Sequence, residues 1–163
     1  MVVLGIDPGL ANCGFGVVAR HDGRLVAADG GVIETAAGLS AERRLTDLHA
    51  RVGDLLDEHA PGAVALEALY FGRNVRTALA VGQARGAVLV AAGQRGVPCV
   101  DYTPQQVKGS VCGAGSAPKE QVARMVQALL GLPAPPRPDH AADALAVAIC
   151  HANHAPLAAA IGA

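Results

Sequence analysis

Four side chains combine a chemical type with a telling place in the sequence: Asp7, Glu67, His140 and Asp143. Asp7 closes a short apolar run, Val2 to Ile6, and is followed by Pro8-Gly9. A carboxylate at a strand end beside a tight turn faces the crevice where α/β sheets take their ligands. The plainer alternative is an Asx-turn acceptor. Glu67 closes a second apolar run, AVALE, although glutamate is poor in strands. If those two strands are neighbours, the carboxylates share one patch and repel each other unless a cation sits between them. His140 and Asp143 lie three apart, on one face of a helix, and both suit a divalent ion. The alternative there is dipole compensation at a helix N-terminus by Asp139 and Asp143. None of the four is a covalent nucleophile. The set suits metal-activated attack of water on a phosphodiester, with two ions ~4 Å apart. No G-x-S-x-G elbow and no Walker loop is present, which disfavours acyl transfer and P-loop chemistry.

A second group could hold phosphates. Residues 68–119 contain six basic residues (Arg73, Arg76, Arg85, Arg95, Lys108, Lys119) against one acid, Asp101. Tyr70 and Phe71 follow Glu67 almost directly, in a chain with only four aromatics. Neighbouring loop aromatics can stack on an unpaired base or fold back onto the core. Gly113-Ala114-Gly115-Ser116 ahead of Lys119 is a weak phosphate-loop signal. His151 and His154 read as carbonyl caps near a helix end rather than as metal ligands.

The elements that must position these residues follow from periodicity. Strands are predicted over Val2–Ile6, Gly14–Ala19, Leu25–Thr35 (interrupted at Gly30-Gly31), Ala63–Glu67 and Val97–Tyr102. The first three have short links and read as an antiparallel meander. Leu45, Leu48, Val52, Leu55 and Leu56 mark an amphipathic helix capped by Ser40 and ending near His59 at Pro61-Gly62. Further helices are expected over Val75–Gln94, Pro104–Val111, Ala117–Leu130 with Ser116 as cap, and Asp139 to about His151. The prolines of 132–138 exclude regular helix there. The order βββαβαβ followed by helices gives an α/β fold, a five-stranded mixed sheet flanked by helices. Residues 1–154 read as a single domain and 155–163 as a flexible tail.

The 163 residues suit one compact unit, and 52% hydrophobic content supplies a core of Ala, Val, Leu and Ile. Cys13, Cys99, Cys112 and Cys150 form no C-x-x-C pair and read as small buried thiols of a reducing compartment. The N-terminus lacks a basic signal-peptide region, and no apolar stretch reaches the ~18 residues of a membrane span. A cytoplasmic protein with no membrane partner is expected. The formal net charge of −1 argues, taken whole, against a nucleic-acid partner. By segment it does not: residues 29–67 carry −5 and residues 68–119 carry +5. The basic segment starts directly after Glu67, and metal ions would neutralise the acids beside it.

The stretches LGIDPGLANCGFGVV, ALEALYFGRN, LAVGQARGAVLVAA, QQVKGSVCGAGSAPKEQV and PDHAADALAVAICH run in order from residue 4 to 151. Together they resemble the RuvC family of bacterial Holliday-junction resolvases. The resemblance implies a ribonuclease-H-like fold and a homodimeric endonuclease that cuts four-way DNA junctions with divalent metal. It matches Asp7, Glu67 and Asp143 to the family's acids, Tyr70 to its junction-touching aromatic, and Lys108 and Lys119 to basic residues linked to DNA and catalysis. Phe71, Arg73 and Arg76 join them as expected DNA contacts. Where many members have D-x-x-D, this chain has His140-Ala-Ala-Asp143. A neutral imidazole lowers the site charge by one and favours Mn²⁺ over Mg²⁺; it could also help activate water. The resemblance further implies a dimer surface on the helix after Arg73, where Gly82 and Gly86 permit close approach. It also implies partnership with the branch-migration proteins RuvA and RuvB. Rival readings are a nuclease acting on RNA–DNA hybrids, a non-catalytic junction binder, and an actin-like ATPase. The last needs two such domains, for which this chain is too short.

Overall fold

The computed structural model describes residues 1–68 and 74–161. Its strands are β1 (Val2–Asp7), β2 (Asn12–His21), β3 (Arg24–Glu34), β4 (Ala63–Glu67) and β5 (Cys99–Tyr102). Its helices are α1 (Ala41–His59), α2 (Val75–Gln94), α3 (Pro104–Cys112), α4 (Lys119–Leu130) and α5 (Asp139–Ile161). The strands form one sheet in the order β3-β2-β1-β4-β5. β1, β2 and β3 are antiparallel neighbours, while β4 runs parallel to β1 and β5 parallel to β4. This is the ribonuclease-H-like mixed sheet that the family resemblance implies.

β1 and β4 are apolar at every position before the last because both faces of the sheet are covered. Leu4, Ile6, Val64 and Leu66 pack with Leu48, Val52 and Leu56 of α1 and with Ala84, Val88 and Ala91 of α2. Val3 and Ala65 point the other way, toward α3, α4 and α5. Side chains alternate along a strand. Asp7 therefore falls on the same face as Val3 and Gly5, and Glu67 on the same face as Ala65. Both strand-end carboxylates lie on the α5 side of the sheet. The parallel register, with Ile6 opposite Leu66, sets them side by side.

α5 crosses that face over a row of glycines. Gly5 pairs with Gly16, and Gly16 with Gly30. A Cβ on Gly5 would stand 2.0 Å from the Ala144 carbonyl oxygen, and one on Gly14 would stand 2.0 Å from that of His140. One on Gly16 would strike the Leu145 side chain at 2.7 Å. The facing helix contributes Ala141, Ala142, Ala144 and Ala148, all nearly inaccessible to solvent. Small residues on both partners let backbone approach backbone, and this seats His140 and Asp143 beside the sheet's carboxylate end.

Several boundaries differ from the sequence expectation. β2 is longer at both ends, because its pairing with β1 and β3 carries its polar termini. β3 continues through Gly30-Gly31, and its pairing with β2 shifts register between Val17 and Val18 instead. β5 begins at Cys99, not Val97. Ser40 holds the cap position of α1 without a side-chain cap bond. α4 starts at Lys119: Pro118 is its extended N-cap residue, so Ser116 lies too far back to cap it. α5 runs past His151 to Ile161, into the segment read as a tail, as its Ala-rich sequence permits. His151 is consequently not at a helix end; its ring is buried and bonded to the Tyr102 hydroxyl at 2.9 Å. His154 does bond a carbonyl, that of Cys150, at 2.7 Å. All four cysteines are free, and Cys13 and Cys150 are buried.

The glycine row makes a direct prediction. Gly5→Ala forces a Cβ into backbone that has no room to yield, and should cost about 3 kcal/mol or more. Gly30→Ala, whose added Cβ meets nothing nearer than 3.6 Å, should change stability by less than about 1 kcal/mol. Urea unfolding of the two variants, followed by circular dichroism, measures the difference.

Candidate active site

Three elements bring the predicted acids together. Asp7 ends β1, Glu67 ends β4, and His140 and Asp143 stand in the first two turns of α5. His140 Nδ1 lies 2.8 Å from Asp7 Oδ2. An ionised carboxylate can only accept, so Nδ1 carries the proton and donates. In the neutral ring this leaves Nε2 with a free lone pair. Asp143 Oδ2 takes the Lys119 ammonium at 3.1 Å, and Asp139 Oδ2 lies 3.7 Å from the same nitrogen. Asp139 is the more exposed of these two acids.

The electrostatics of Asp7 and Glu67 are unfavourable as they stand. Burial pushes the Asp7 carboxyl above its ordinary pKa, the hydrogen bond from His140 opposes that rise, and the Asp143 charge adds to it. Burial also raises Glu67, and the charges of Asp7 and Asp143 raise it further, with Lys119 and Lys108 pulling it back. The Lys119 ammonium is held above its usual value, first by its bond to Asp143. Two half-buried carboxylates thus sit within each other's field with too little positive charge. Among the described residues, no group of three or more His, Cys, Asp or Glu side chains is already gathered closely enough to hold an ion. Asp7 and Asp143 each commit an oxygen to a neighbouring cation or N–H donor. The donor set nevertheless suits a hard divalent ion: carboxylate oxygens from three elements, in mutual repulsion, with a lone-pair imidazole nitrogen alongside.

Three depressions border the cluster, one of them a cleft of about 480 Å³ that Asp143 and Lys119 line with Asp139, Arg124 and Arg137. A cleft of about 230 Å³ is lined by Glu67, Asp143, Lys108 and Lys119 over a floor of Val107, Val122 and Val147. Lys108 comes from α3, which a reciprocal Thr103–Gln106 capping box fixes at its start. On the other side, a groove of about 400 Å³ is lined by His140, Arg76 and Arg44 with the 9–12 loop. Arg76 is exposed in the first turn of α2, whose cap is the Asn74 side chain. Tyr70, Phe71 and Arg73 lie outside the described residues. Arg44 has no signal in the sequence that separates it from the solvated arginines around it. Its place becomes visible only because Thr35 links it to the loop after Asp7: Arg44 Nε donates to Thr35 Oγ1 at 2.9 Å, and that hydroxyl donates to the Leu10 carbonyl.

The family model described as "Crossover junction endodeoxyribonuclease RuvC" matches residues 3–151. The chain belongs to the RuvC family. It is 53% identical to the crossover junction endodeoxyribonuclease RuvC of Moorella thermoacetica over 156 residues, 96% of this chain and 93% of that one. It superposes on the solved RuvC of Thermus thermophilus with a TM-score of 0.91 at 46% identity, covering 97% of each chain. The Thermus thermophilus RuvC in complex with a Holliday junction substrate gives 0.92 at 46% identity, over 97% of this chain and 96% of that one. The RuvC family is thus defined over nearly the same span as the β1-to-α5 frame that gathers the acids.

The raised carboxyl pKa values carry a stability consequence. A raised folded-state pKa means the native state holds its proton longer than the unfolded chain does. The associated stability is complete below the ordinary carboxylate pKa and is lost as pH rises through the raised value. In chelator, Glu67→Gln should therefore melt above wild type at pH 7, and the gap should close as pH falls toward 4. Thermal melts at pH 4–8 in EDTA check this.

Proposed function

We propose that this chain resolves four-way DNA junctions by nicking two strands of like polarity, leaving 5′-phosphate and 3′-hydroxyl ends. One observation carries the reading: Asp7 and Glu67 end adjacent strands as half-buried, mutually repelling carboxylates, beside a cleft that also holds Lys108 and Lys119. Membership of the RuvC family, and the likeness to a relative solved with a Holliday junction, support the choice of substrate.

Asp7, Glu67, His140 and Asp143 are the residues that would hold two divalent ions per subunit, Mg²⁺ or Mn²⁺. Such ions, when bound, supply the activation of water for in-line attack at phosphorus and stabilise the leaving 3′ oxygen. The chain's own groups do the rest. The His140–Asp7 bond fixes the imidazole's tautomer and presents Nε2 as ligand or proton acceptor. Lys119 steadies Asp143 and places an ammonium beside the phosphate position. Lys108, on the cleft wall, gives the same strand a second cationic contact, and Arg76 a third from the far groove. Tyr70, Phe71 and Arg73 are assigned to the DNA surface from the sequence alone.

Cutting two strands symmetrically requires two such sites related by a two-fold axis. The α2 face supports a homodimer. Val75, Leu79 and Val90 are more than half exposed there, and a Cβ added at Gly82 or Gly86 would meet nothing. RuvA and RuvB are proposed as functional partners on the family resemblance. No helix among the described residues is long and apolar enough to cross a membrane, and a cytoplasmic location is the proposal that suits a DNA substrate.

Asp7→Asn tests the assignment. Junction binding, followed by gel shift, should persist, while junction cleavage should fall by roughly 10²–10³-fold or more. Normal cleavage by the purified variant would overturn the role given to Asp7.

A further inference from the structure

The groove beyond His140 is cationic without compensation. Its lining includes the Arg44 and Arg76 side chains, the His140 imidazole, Asn12 and Thr77, and no carboxylate. Ion pairs elsewhere show what this chain does with arginines it uses structurally. Arg85 holds both Asp101 carboxylate oxygens through Nη2 alone, and Arg95 forks onto Asp57 through Nε and Nη2, at 2.6–2.8 Å. Arg44 and Arg76 have no such carboxylate partner among the described residues. Arg44 is nevertheless held in place. Its Nε is committed to Thr35 Oγ1, which is tied in turn to the loop that follows Asp7. The two Nη groups make no hydrogen bond among the described residues. A guanidinium fixed through Nε with both terminal nitrogens available is a preformed fork for a phosphate or carboxylate.

The position of the groove selects between those anions. It meets the acid cluster at His140, on the side away from Lys108 and Lys119. Cationic residues thus flank the carboxylates on two sides, the pattern needed to draw a polyanionic strand across the cluster. We infer that Arg44, together with Arg76, binds a backbone phosphate of the junction strand beside the cut. Arg44 is a substrate-binding residue linked through Thr35 to the Asp7 loop. This rests on the junction-cutting function proposed above and extends it to a second phosphate site.

The test uses the full chain and a synthetic four-way junction, intact or carrying one neutral methylphosphonate at successive positions beside the cut. Arg44→Gln and Arg76→Gln should each weaken junction binding roughly tenfold. Each should reduce the slope of log K against log salt by about one. Arg44→Lys should restore part of the affinity by keeping the charge without the fork. One methylphosphonate position should weaken wild-type binding by a similar factor and cost Arg44→Gln almost nothing further, since variant and analogue remove the same contact. Arg76 is exposed, so its variant keeps the test open if loss of the Arg44–Thr35 bond lowers stability. The inference is overturned if both variants bind with wild-type affinity and salt slope. Full additivity of Arg44→Gln with every methylphosphonate position also overturns it. Wild-type chain that cuts the junction normally, alongside unaffected variants, removes this inference alone. A wild-type chain that neither binds nor cuts junctions removes the functional reading and this inference with it.

Discussion

The close seating of α5 on the glycines of β1 and β2 is the contact on which the candidate site depends. Residues His140 and Asp143 belong to a helix nearly at the C-terminal end of the chain, whereas Asp7 is at its beginning. A backbone-to-backbone approach brings His140 within hydrogen-bonding distance of Asp7 and seats Asp143 on the same side of the sheet. Gly5, Gly14 and Gly16 provide that approach from the sheet, and an alanine-rich helix provides it from above. A side chain of ordinary size at any of these positions would lift α5 and draw His140 away from Asp7. The same row explains why the helix carries so few large residues where it crosses the strands. Packing here is set by distance between backbones as much as by apolar area.

The acid cluster runs against stability. Burial and mutual repulsion raise the carboxyl pKa values of Asp7 and Glu67. The fold tolerates this because the strand ends are fixed by a sheet buried on both faces, and because Lys119 and His140 take part of the charge. Such a concentration of unfavourable charge is a common property of functional sites. Charge is also unevenly distributed along the chain. The excess of acids before residue 68 and of bases after it gives a near-neutral total. Arg44 belongs to the acidic segment by sequence, yet folding carries it to the groove beside His140. A linear count of charge locates a tendency and cannot locate a surface.

Much of the site was legible before the fold. Asp7 and Glu67 each end an apolar run, and a strand buried on both faces can end in a carboxylate only where it meets solvent or a ligand. Period-two alternation then places both on one face once β1 and β4 are neighbours. The three-residue spacing of His140 and Asp143 gave their shared face. What the sequence could not convey was long-range: which face of the sheet α5 would cover, that Gly5, Gly16 and Gly30 align across three strands, and that Lys119 would reach Asp143. Ser116 misled because a hydroxyl near a helix start looks like a cap, while the backbone of Pro118 decides where α4 begins. His151 looks like a capping residue only if α5 ends beside it; the helix continues to Ile161, and the ring bonds the Tyr102 hydroxyl instead.

Phosphodiester hydrolysis is proposed to depend on the divalent-ion site that Asp7, Glu67, His140 and Asp143 would form together. That dependence is tested most directly by incubating the wild-type chain with a synthetic four-way junction in excess EDTA, then titrating Mg²⁺ or Mn²⁺ past the chelator. No cleavage is expected in EDTA, and paired, symmetric nicks should appear as free divalent ion rises. Undiminished cleavage in excess chelator would contradict that dependence.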